Sequence, residues 1–371
     1  MKVKLCDVCE RKSSNLKQSE IINKNGDYPI YGATGYLGNV DFYHIEKPYV
    51  AVIKDGAGIG RTTLHPGKSS IIGTMQYLIP KEGILPEYLY YVVKYMHLEK
   101  YYTGATIPHI YFKDYKNEEF NFAPFEKQKK IVECLKKVEN IIDDQQTEIK
   151  TLESLIKARF VEMFGDPQIN EKGFTKASMG EYLSLLTDFS SNGSYKALDS
   201  GVTMYDEPNY AWMVRTTDLE SGDMSSIKYI DKKAYELLSK SKIFGGEIIM
   251  NKIGSAGKIY IMPKLTMPAS LGRNAFMFRY DERINNIFMY YLLTSDYGQR
   301  EIQQYVRGAV TKTITKDDAR SVLIIVPPLE LQQQFAGFVQ QVDKSKLAVQ
   351  QSLKKTQLLF DSLMQEYFGE N

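Results

Sequence analysis

Two short stretches of the chain place glycines directly after an apolar run and end in a basic residue. They read Asp55-Gly-Ala-Gly-Ile-Gly-Arg61 and Lys252-Ile-Gly-Ser-Ala-Gly-Lys258. Neither is the phosphate-binding loop G-x-x-x-x-G-K-[ST]; in the first stretch Asp55 stands in place of the first glycine and Arg61 in place of the lysine. Glycines still let a backbone approach a ligand closely, and a basic residue beside them suits a phosphate or a guanine edge. The alternative is a tight turn with a solvated cation.

Two further stretches combine aromatic, hydroxyl and charged side chains as a nucleic-acid-reading surface does. They read Tyr28-Pro-Ile-Tyr-Gly-Ala-Thr-Gly-Tyr-Leu-Gly38 and Ala211-Trp-Met-Val-Arg-Thr-Thr-Asp-Leu219. Arginine can pair bidentately with guanine, and Thr or Asp can reach phosphates, thymine methyls or the cytosine amino group. Ordinary loop polarity is the alternative for each residue. The candidate DNA-contacting residues are Tyr31, Thr34, Lys54, Arg61, His109, Lys113, Arg215, Thr216, Thr217, Lys252, Lys258, Arg273, Asn274, Arg307 and Lys312.

Motifs of DNA-modifying enzymes do not stand out in the sequence. An adenine methyltransferase needs an Asn/Asp-Pro-Pro-aromatic element, and the nearest match, Val326-Pro-Pro-Leu329, has an apolar residue where the amide must be. The four histidines show no metal-ligand spacing, and no G-x-S-x-G nucleophile motif stands out. Cys6-Asp-Val-Cys9 has no second pair to complete a zinc site. We therefore expect a non-catalytic chain without a metal site. A diffuse nuclease site of two acids and a lysine is the remaining alternative.

A long helix-like stretch occurs twice in the chain. From residue 124 to residue 167, apolar residues recur at steps of four and three, the pattern of a coiled-coil seam. A shift of 204 positions superposes Pro124 on Pro328 and Phe164 on Phe368 without a gap. Each copy begins at a proline and ends at a glycine, which are usual helix boundaries. Two ordinary surface helices are the alternative, but they leave the repetition unexplained. The predicted seam residues are Ile131, Leu135, Val138, Ile142, Ile149, Leu152, Ile156, Phe335, Val339, Val342, Val349, Leu353, Phe360 and Leu363.

A globular region of short strands and helices precedes each long helix. Strands are predicted at 49–53 and 70–79 and a helix at 86–102, and the second region repeats this order with a strand at 243–250. The fold class is therefore α+β, with two mixed α/β domains separated by two long antiparallel coiled-coil helices. This internal duplication predicts a pseudo-two-fold axis, with the globular domains at opposite ends of the helix pair. The predicted domains are globular 1–123, helical 124–167, globular 168–326 and helical 327–371.

Composition narrows the protein class. The net charge is +2, so any positive surface must be made by folding and not by composition. Three cysteines leave an odd count and no disulfide framework, which favours a reducing cytoplasm. The longest apolar run, 322–326, is far shorter than the roughly 20 residues needed to cross a bilayer. The N-terminus also lacks a signal-peptide stretch. We expect a soluble cytoplasmic protein.

Taken together, these features resemble the specificity subunit of type I restriction–modification systems over essentially the whole chain. The resemblance rests on the repeated Pro-[Phe/Leu]-Glu-x-Gln helix start, Phe-Gly-Asp-Pro at 164–167, Tyr-Pro-Ile-Tyr-Gly-Ala-Thr-Gly at 28–35 and the paired glycine turns. It implies that each globular domain is a target-recognition domain that reads one half of an asymmetric, bipartite DNA site. The long helices would set the gap between the half-sites.

The same resemblance implies partners and cofactors. The partners would be double-stranded DNA, two modification (methyltransferase) subunits docked by the long helices and, where the system has them, restriction (translocase and nuclease) subunits, with no membrane. The chain would bind no cofactor itself, because S-adenosylmethionine serves the modification subunits and ATP with Mg serves the restriction subunits. Two alternatives are a fused enzyme that cuts and methylates on its own and a helical scaffold that joins two protein-binding modules.

Overall fold

The computed structural model describes residues 1–21, 25–104 and 108–369. The chain divides into two compact units, of which the first combines Met1–Glu148 with Val349–Asn371 and the second is Ile149–Ala348. Each unit therefore contains one globular body and a part of each long helix. The last two residues of the predicted final helix, 370–371, lie outside the described residues.

The first globular body is a mixed α+β structure. Its elements are β1 Lys2–Lys4, α1 Leu5–Val8, β2 Cys9–Ser13, β3 Tyr28–Gly32, β4 Gly35–Val40, β5 Tyr49–Ile53, β6 Thr62–His65, β7 Ser70–Ile71, β8 Met75–Pro80, α2 Pro86–Tyr95, α3 Phe112–Tyr115 and β9 Glu119–Asn121. Strands β2-β8-β5-β6 form an antiparallel sheet, β4-β3-β7 form a second sheet, and β1 pairs with β9. The first long helix, α4, follows as Phe125–Phe164.

Two predicted elements of this body have different bounds in the structure. The predicted strand 70–79 is divided into β7 and β8, because a turn at 72–74 separates two strands that belong to different sheets. The predicted helix 86–102 ends at Tyr95, because His97 takes a left-handed conformation with φ 48° and a short 3-10 turn follows. A left-handed residue cannot continue a right-handed helix.

The second globular body repeats this plan with additional helices. Its elements are β10 Thr175–Ser178, β11 Leu183–Asp188, α5 Tyr195–Gly201, β12 Ala211–Val214, α6 Thr216–Ser221, β13 Lys228–Ile230, α7 Lys232–Leu237, β14 Lys242–Ile243, β15 Ile248–Asn251, β16 Ile259–Ile261, β17 Ala269–Leu271, β18 Ala275–Tyr280, α8 Asn286–Thr294, α9 Asp296–Gln303, α10 Lys316–Ser321 and β19 Leu323–Val326. The second long helix, α11, is Leu329–Phe368.

The sheets of the second body match those of the first in strand order. The sheet β11-β18-β15-β16 corresponds to β2-β8-β5-β6, and the pair β10-β19 corresponds to β1-β9. A four-stranded sheet, β13-β12-β17-β14, takes the place of β4-β3-β7. The predicted strand 243–250 is divided into β14 and β15, because Gly245 and Gly246 between them have φ of 101° and 83°. The expected α+β duplication is confirmed.

In the first unit, the two long helices run antiparallel and share the core of the globular body. Cys134 accepts a hydrogen bond from Tyr367 at 3.7 Å and Gln145 donates to Ser352 at 2.8 Å, so the sequence direction reverses from one helix to the other. The same buried cluster contains side chains from α2, α4 and α11. Its members from the long helices are Ile131, Leu135, Val138, Ile142, Phe360, Met364 and Phe368.

In the second unit, the remaining parts of the long helices also run antiparallel. Glu153 pairs with Lys346, and the rings of Phe160 and Phe335 lie 5.4 Å apart. The predicted seam residues Ile156, Phe335, Val339 and Val342 are buried here together with side chains of α8. The other predicted seam residues are only half-buried. These are Ile149, Leu152, Val349 and Leu353, and Leu363 near the end of α11 is half-buried too.

A buried glutamine makes equivalent hydrogen bonds at the start of each long helix, which accounts for its repeated position in the two copies. Gln128 is fully buried; its Nε2 donates to the carbonyls of Gly83 and Ala123 at 2.9 and 3.0 Å, and its Oε1 accepts from the Leu85 amide at 2.9 Å. In the second unit, Gln332 is also fully buried and makes the corresponding three bonds. Its partners are the carbonyls of Arg283 at 3.2 Å and Pro327 at 2.8 Å and the amide of Asn285 at 2.8 Å.

Candidate nucleic-acid interface

The glycine turn of the first unit follows β5 and is held by backbone contacts. Gly56, Gly58 and Gly60 have positive φ of 85°, 86° and 79°, a region that glycine adopts without steric strain. A Cβ on Gly60 would lie 2.4 Å from the backbone nitrogen of Glu99, so only glycine fits at this close approach. The Gly56 amide faces a different segment and donates to the carbonyl of Pro108 at 3.0 Å.

The segment that Gly56 contacts is 108–110. Its residue His109 exchanges two backbone hydrogen bonds of 2.8 Å with Thr103. The next amide, that of Ile110, donates to the Lys54 carbonyl at 2.9 Å. The structure therefore brings Lys54 and His109, which are far apart in sequence, to one edge of the sheet. We call the glycine turn together with this docked loop the turn–loop pair.

The second unit contains a turn–loop pair with the same backbone bonds. Arg307 and Thr313 exchange hydrogen bonds of 2.9 and 2.7 Å, and the Gly254 amide donates to the Lys312 carbonyl at 2.9 Å. The amide of residue 314 donates to the Lys252 carbonyl at 3.1 Å. The repetition of these contacts shows that the glycine stretches and the later loops, which sequence reasoning treated separately, form one structural element in each unit.

The side chains on the two turn–loop pairs differ in charge. In the first unit, the Asp55 carboxylate lies 2.6 Å from Lys54 Nζ and 2.7 Å from His109 Nδ1. In the second unit, Lys312 takes the place of Pro108, and its exposed ammonium has no hydrogen bond or ion pair with the part of the chain that the structure describes. The two edges therefore present different chemistry on a shared backbone.

The hairpin β3–β4 carries two further candidates in the first unit and is tied to the glycine turn. Arg61 donates from its guanidinium to the carbonyl of Ala33 at the hairpin tip, where Thr34 is exposed. The Tyr31 ring lies 4.3 Å from the ring of His65. Burial raises the pKa of Tyr31 and lowers that of His65 to about 4, so both side chains are neutral at physiological pH. Tyr31 and Thr34 therefore offer hydroxyl groups, while Arg61 offers the charge.

Arg215 has an internal role that the sequence did not reveal. Its Nε and Nη2 atoms lie 3.0 and 2.5 Å from Oδ1 of the buried Asp218, and Nη2 also donates to the Ser226 carbonyl at 2.8 Å. Trp212 Nε1 donates to the same carboxylate at 3.2 Å. This arrangement fixes the guanidinium plane. Pairing of Arg215 with guanine stays a prediction, because two of its three nitrogens already have internal partners.

One depression brings together two candidate groups that lie far apart in sequence. Arg215, Thr216 and Thr217, at the start of α6, line a cavity of about 240 Å³ together with Arg273 and Asn274 from the turn between β17 and β18. Asn274 has a left-handed φ of 68°, which turns the chain back toward β18. Apolar side chains also line the depression: Phe189, Val202, Met204 and Met213. Its arginine, threonine and asparagine side chains suit hydrogen bonding to base edges or phosphates.

The remaining candidate cations lie at or near the surface. Three of them form ion pairs: Lys258 with Glu220 at 2.5 Å, Arg273 with Asp199 at 3.1 Å and Arg307 with Asp318 at 2.9 Å. The pairs of Lys258 and Arg273 are exposed on both sides and contribute about 0–1 kcal/mol, so a phosphate can replace their carboxylates at little cost. Lys113 is exposed beside the ring of Tyr111, 5.4 Å from its centroid.

Lys252 has partners that sequence reasoning missed. Its Nζ lies 2.8 Å from Asp188, and the same carboxylate also binds Lys316. The three residues come from β11, the turn after β15 and α10, and no sequence spacing connects them.

Within the described residues, no cluster of three or more His, Cys, Asp or Glu side chains could hold a metal ion. All three cysteines are free thiols. Cys9 is buried and donates to the Leu5 carbonyl at 3.2 Å, and burial raises the pKa of its thiol to about 12. No helix in the described part of the chain is both long and apolar enough to span a membrane.

Two α+β bodies with the same strand order, each with a turn–loop pair, define a protein of two related modules. The family described as type I restriction modification DNA specificity domain matches residues 1–154 and 172–358. The chain belongs to this family and contains its domain twice. Among curated relatives, the type I restriction enzyme MjaVIII specificity subunit of Methanocaldococcus jannaschii is 26% identical over 332 residues, covering 82% of this chain and 76% of the relative.

Other comparisons agree with this family. The putative type I restriction enzyme MjaX specificity subunit of the same organism is 23% identical over 344 residues, covering 86% of this chain and 76% of the relative. The fold is similar to that of a type I restriction–modification S subunit from M. genitalium, with a TM-score of 0.60, 16% identity and coverage of 100% and 96% of the two chains. A chain solved to explain complex assembly and conformational transition of the type I R-M system has a TM-score of 0.54, 16% identity and coverage of 99% and 97%.

Proposed function

We propose that this chain is the DNA-recognition subunit of a type I restriction–modification complex and that each unit reads one half of an asymmetric, bipartite DNA site. The observation that carries this proposal is the same turn–loop pair in two DNA-specificity modules with different surrounding side chains. A shared backbone supports a similar approach to DNA in both units. Different side chains support different half-site sequences.

The side chains that differ between the units are the ones we assign to base readout. In the first unit these are the exposed Thr34 and the tethered Arg61 at the β3–β4 hairpin. In the second unit they are Arg215, Thr217 and Arg273 around the depression between α6 and the β17–β18 turn. Arginine, threonine and asparagine side chains supply the hydrogen bonds that discriminate bases in the major groove.

The proposed partners are double-stranded DNA, two modification subunits and, where the system includes them, restriction subunits. The long helices α4 and α11 dock the modification subunits and set the gap between half-sites. The chain itself is non-catalytic and binds no cofactor. S-adenosylmethionine belongs to the modification subunits, and ATP with Mg²⁺ belongs to the restriction subunits. Support for the non-catalytic role comes from the sequence around Val326-Pro-Pro-Leu329, which lacks the amide of an adenine-methyltransferase motif.

Genome-wide mapping of methylated adenines tests this function. Cells with the gene should contain a methylated two-part motif that disappears when the gene is deleted. Replacing residues 168–326 with the corresponding segment of another family member should change one half-site and keep the other. Replacement of residues 1–123 is the matched control and should change the other half-site. Methyl transfer by the purified chain alone, or loss of the gene without loss of any methylated motif, would contradict the proposal.

The spacer role has its own test. Because the long helices pair antiparallel within each unit, one heptad should be inserted into both helices to preserve the seam register. We expect a longer gap between unchanged half-sites. A heptad of alanines inserted in the loop at 203–209 is the control and should leave the gap unaltered. Changed half-site bases with an unchanged gap would count against the spacer role.

A further inference from the structure

A compact charged cluster lies at the edge of the second unit beside its turn–loop pair. Asp188, the last residue of β11, accepts from Lys252 Nζ at 2.8 Å and from Lys316 Nζ at 2.9 Å, one bond to each carboxylate oxygen. Lys316 also donates to Ser191 Oγ at 2.7 Å. The amide and hydroxyl of Ser191 bind Asp188 as well, at 3.1 and 2.7 Å. Side chains from three segments that are distant in sequence therefore meet at the Asp188 carboxylate.

The cluster has one positive charge in excess. Asp188 is only 6% exposed. Burial by itself would raise its pKa, but hydrogen bonds from Lys252, Ser191 and Lys316 lower the pKa to about 2, so the carboxylate is ionised at physiological pH. Two ammonium groups then face one carboxylate. An ammonium has three donors; the bonds to Asp188 and Ser191 use one donor of Lys252 and two of Lys316, so both lysines retain capacity for another acceptor.

The two lysines border an open depression of about 370 Å³. Its other lining residues are Asp188, Ser190, Ser191 and Phe276. The side chains of Lys252 and Lys316 are 16% and 30% exposed, so a ligand in the depression can reach both ammonium groups. Ammonium and hydroxyl donors around a shallow, open site suit a tetrahedral oxyanion better than an apolar ligand.

Lys252 connects two groups of candidate DNA-contacting residues in the second unit, which together we call the candidate DNA-binding edge. These are the residues around the Arg215 depression and those of the turn–loop pair. The Lys252 amide donates to the Asn274 carbonyl at 2.8 Å, and its carbonyl accepts from Ile314 at 3.1 Å. Asn274 borders the depression that contains Arg215, and Ile314 ends the loop that carries the exposed Lys312. A DNA strand on this edge would pass the two lysines.

The described residues of the first unit contain no equivalent cluster. In the matching sheet, Ser13 ends β2 where Asp188 ends β11. The ammonium of Lys54 lies 2.6 Å from its neighbour Asp55, and α3 begins with Phe112 where α10 begins with Lys316. The cluster is therefore a property of the second unit and is not required by the shared fold.

We propose that Lys252 and Lys316 form a binding site for a phosphodiester of the DNA backbone and that Asp188 positions their two ammonium groups. This inference rests on the proposed DNA-recognition function. The site neutralises one phosphate, because it has one positive charge in excess. It strengthens binding to any sequence and fixes the second unit on its half-site, while base discrimination is left to the neighbouring residues.

Salt-dependent DNA binding by the full-length chain tests the site. Fluorescence anisotropy is measured at several salt concentrations with a labelled duplex containing the methylated motif and with an unrelated duplex. In Lys316→Gln, Lys252 still compensates Asp188, so the fold is retained and the excess charge is lost. We expect the slope of log affinity against log salt to fall by about 0.9, the value for one phosphate contact. Affinity should fall by the same factor on both duplexes.

The matched control is Lys264→Gln. Lys264 is an exposed lysine of the same unit, and it lies at the end of the β15–β16 hairpin opposite Lys252, beside the Gly246–Met262 hydrogen bond. This variant has the same change in net charge and should keep the parent slope. If the parent binds DNA and Lys316→Gln has the same salt slope as Lys264→Gln, the proposed phosphate site is wrong. The proposed DNA-recognition function would still stand. A parent that binds neither duplex would overturn the proposed function as well.

The variant Asp188→Asn distinguishes a positioning role of Asp188 from a purely electrostatic role of the two lysines. This substitution adds one positive charge to the edge, so a purely electrostatic role for the lysines predicts tighter DNA binding. If Asp188 positions the ammonium groups, binding becomes several-fold weaker despite the added charge. Thermal unfolding followed by circular dichroism verifies that the variant is folded at the assay temperature, and Asp188→Glu, which keeps the charge, should recover part of the affinity. Tighter binding by folded Asp188→Asn would refute the positioning role.

Inorganic phosphate distinguishes a backbone site from a site for the free anion. Replacing chloride with phosphate at constant ionic strength should weaken DNA binding by the parent and have a smaller effect on Lys316→Gln. If phosphate binds the parent but Lys316→Gln leaves DNA affinity and slope unchanged, the site serves the free anion and the proposal is wrong.

Discussion

Replacing the buried glutamine at each long-helix start should loosen the start of α2 in the first unit and of α8 in the second. Gln128→Leu keeps the approximate side-chain volume but removes three hydrogen bonds, to Gly83, Leu85 and Ala123. The Gly83 carbonyl lies near the surface and can bind water, whereas the Ala123 carbonyl is buried and the Leu85 amide is partly buried. Each unsatisfied buried group costs about 1–3 kcal/mol, so we expect a loss of about 3 kcal/mol.

Hydrogen exchange followed by mass spectrometry measures this effect locally. Gln128→Leu should accelerate exchange in peptides that contain Leu85 and the first turn of α2, by about 100-fold for a loss of about 3 kcal/mol. Gln332→Leu should do the same around Asn285 and the first turn of α8, because its three bonds are equivalent. The two variants therefore test one physical explanation at two independent places.

An exposed glutamine of the same helix provides the control. Gln146→Leu has the same chemical change on an exposed face of α4 and should leave exchange around Leu85 within about threefold of the parent, since surface substitutions change stability by about 0.5 kcal/mol or less. If Gln128→Leu and Gln146→Leu give the same exchange rates in these peptides, the buried amide of Gln128 does not join the long helix to α2. The repeated Glu-x-Gln spacing would then need another explanation.

Three further predictions concern single side chains. Asp218→Ala should lower the unfolding free energy by about 3–5 kcal/mol, because it strands a part-buried arginine, and should shift the emission of Trp212, the only tryptophan of the chain, in a fluorescence melt. Gly60→Ala should destabilise the first unit far more than Gly56→Ala in chemical denaturation, since both have positive φ but only Gly60 faces a backbone atom within 3 Å. At pH 7, Asp188→Asn should be less stable than the parent in chemical denaturation, and the difference should shrink as the pH falls from about 4 to about 2, because hydrogen bonds from Lys252, Ser191 and Lys316 depress the folded-state pKa of this carboxyl.

The long-range organisation could be predicted because it depends on repeated local signals. The heptad pattern and the 204-residue shift identify two long helices, and the structure has them as Phe125–Phe164 and Leu329–Phe368. Strand order is repeated between the two bodies in the same way. Element bounds were harder to predict. The left-handed His97, which ends α2 early, has no side-chain signature that distinguishes it from a helical histidine.

The candidate site could be predicted only in pieces. Sequence stretches identified the glycine turns, but the backbone bonds from Gly56 and Gly254 to later loops depend on tertiary packing. The charged cluster around Asp188 could not be predicted from the sequence for the same reason, because its three charged residues lie in segments that are distant in sequence. The sequence predicts Arg215 as a guanine-contacting residue, and its pairing with Asp218 shows that an acid three residues away can use part of an arginine internally. The DNA-contacting role of each individual residue stays a prediction.

Main-chain hydrogen bonds join each glycine turn to the segment docked on it, and this has an evolutionary consequence. Gly56 binds the carbonyl of a proline and Gly254 binds the carbonyl of a lysine, with distances of 3.0 and 2.9 Å. Every amino acid has a carbonyl, so mutation at Pro108 or Lys312 can change what the loop displays without weakening its anchor. New target preferences can then arise by point mutation on an unaltered frame, and a designer could randomise the same position with little risk of unfolding the protein.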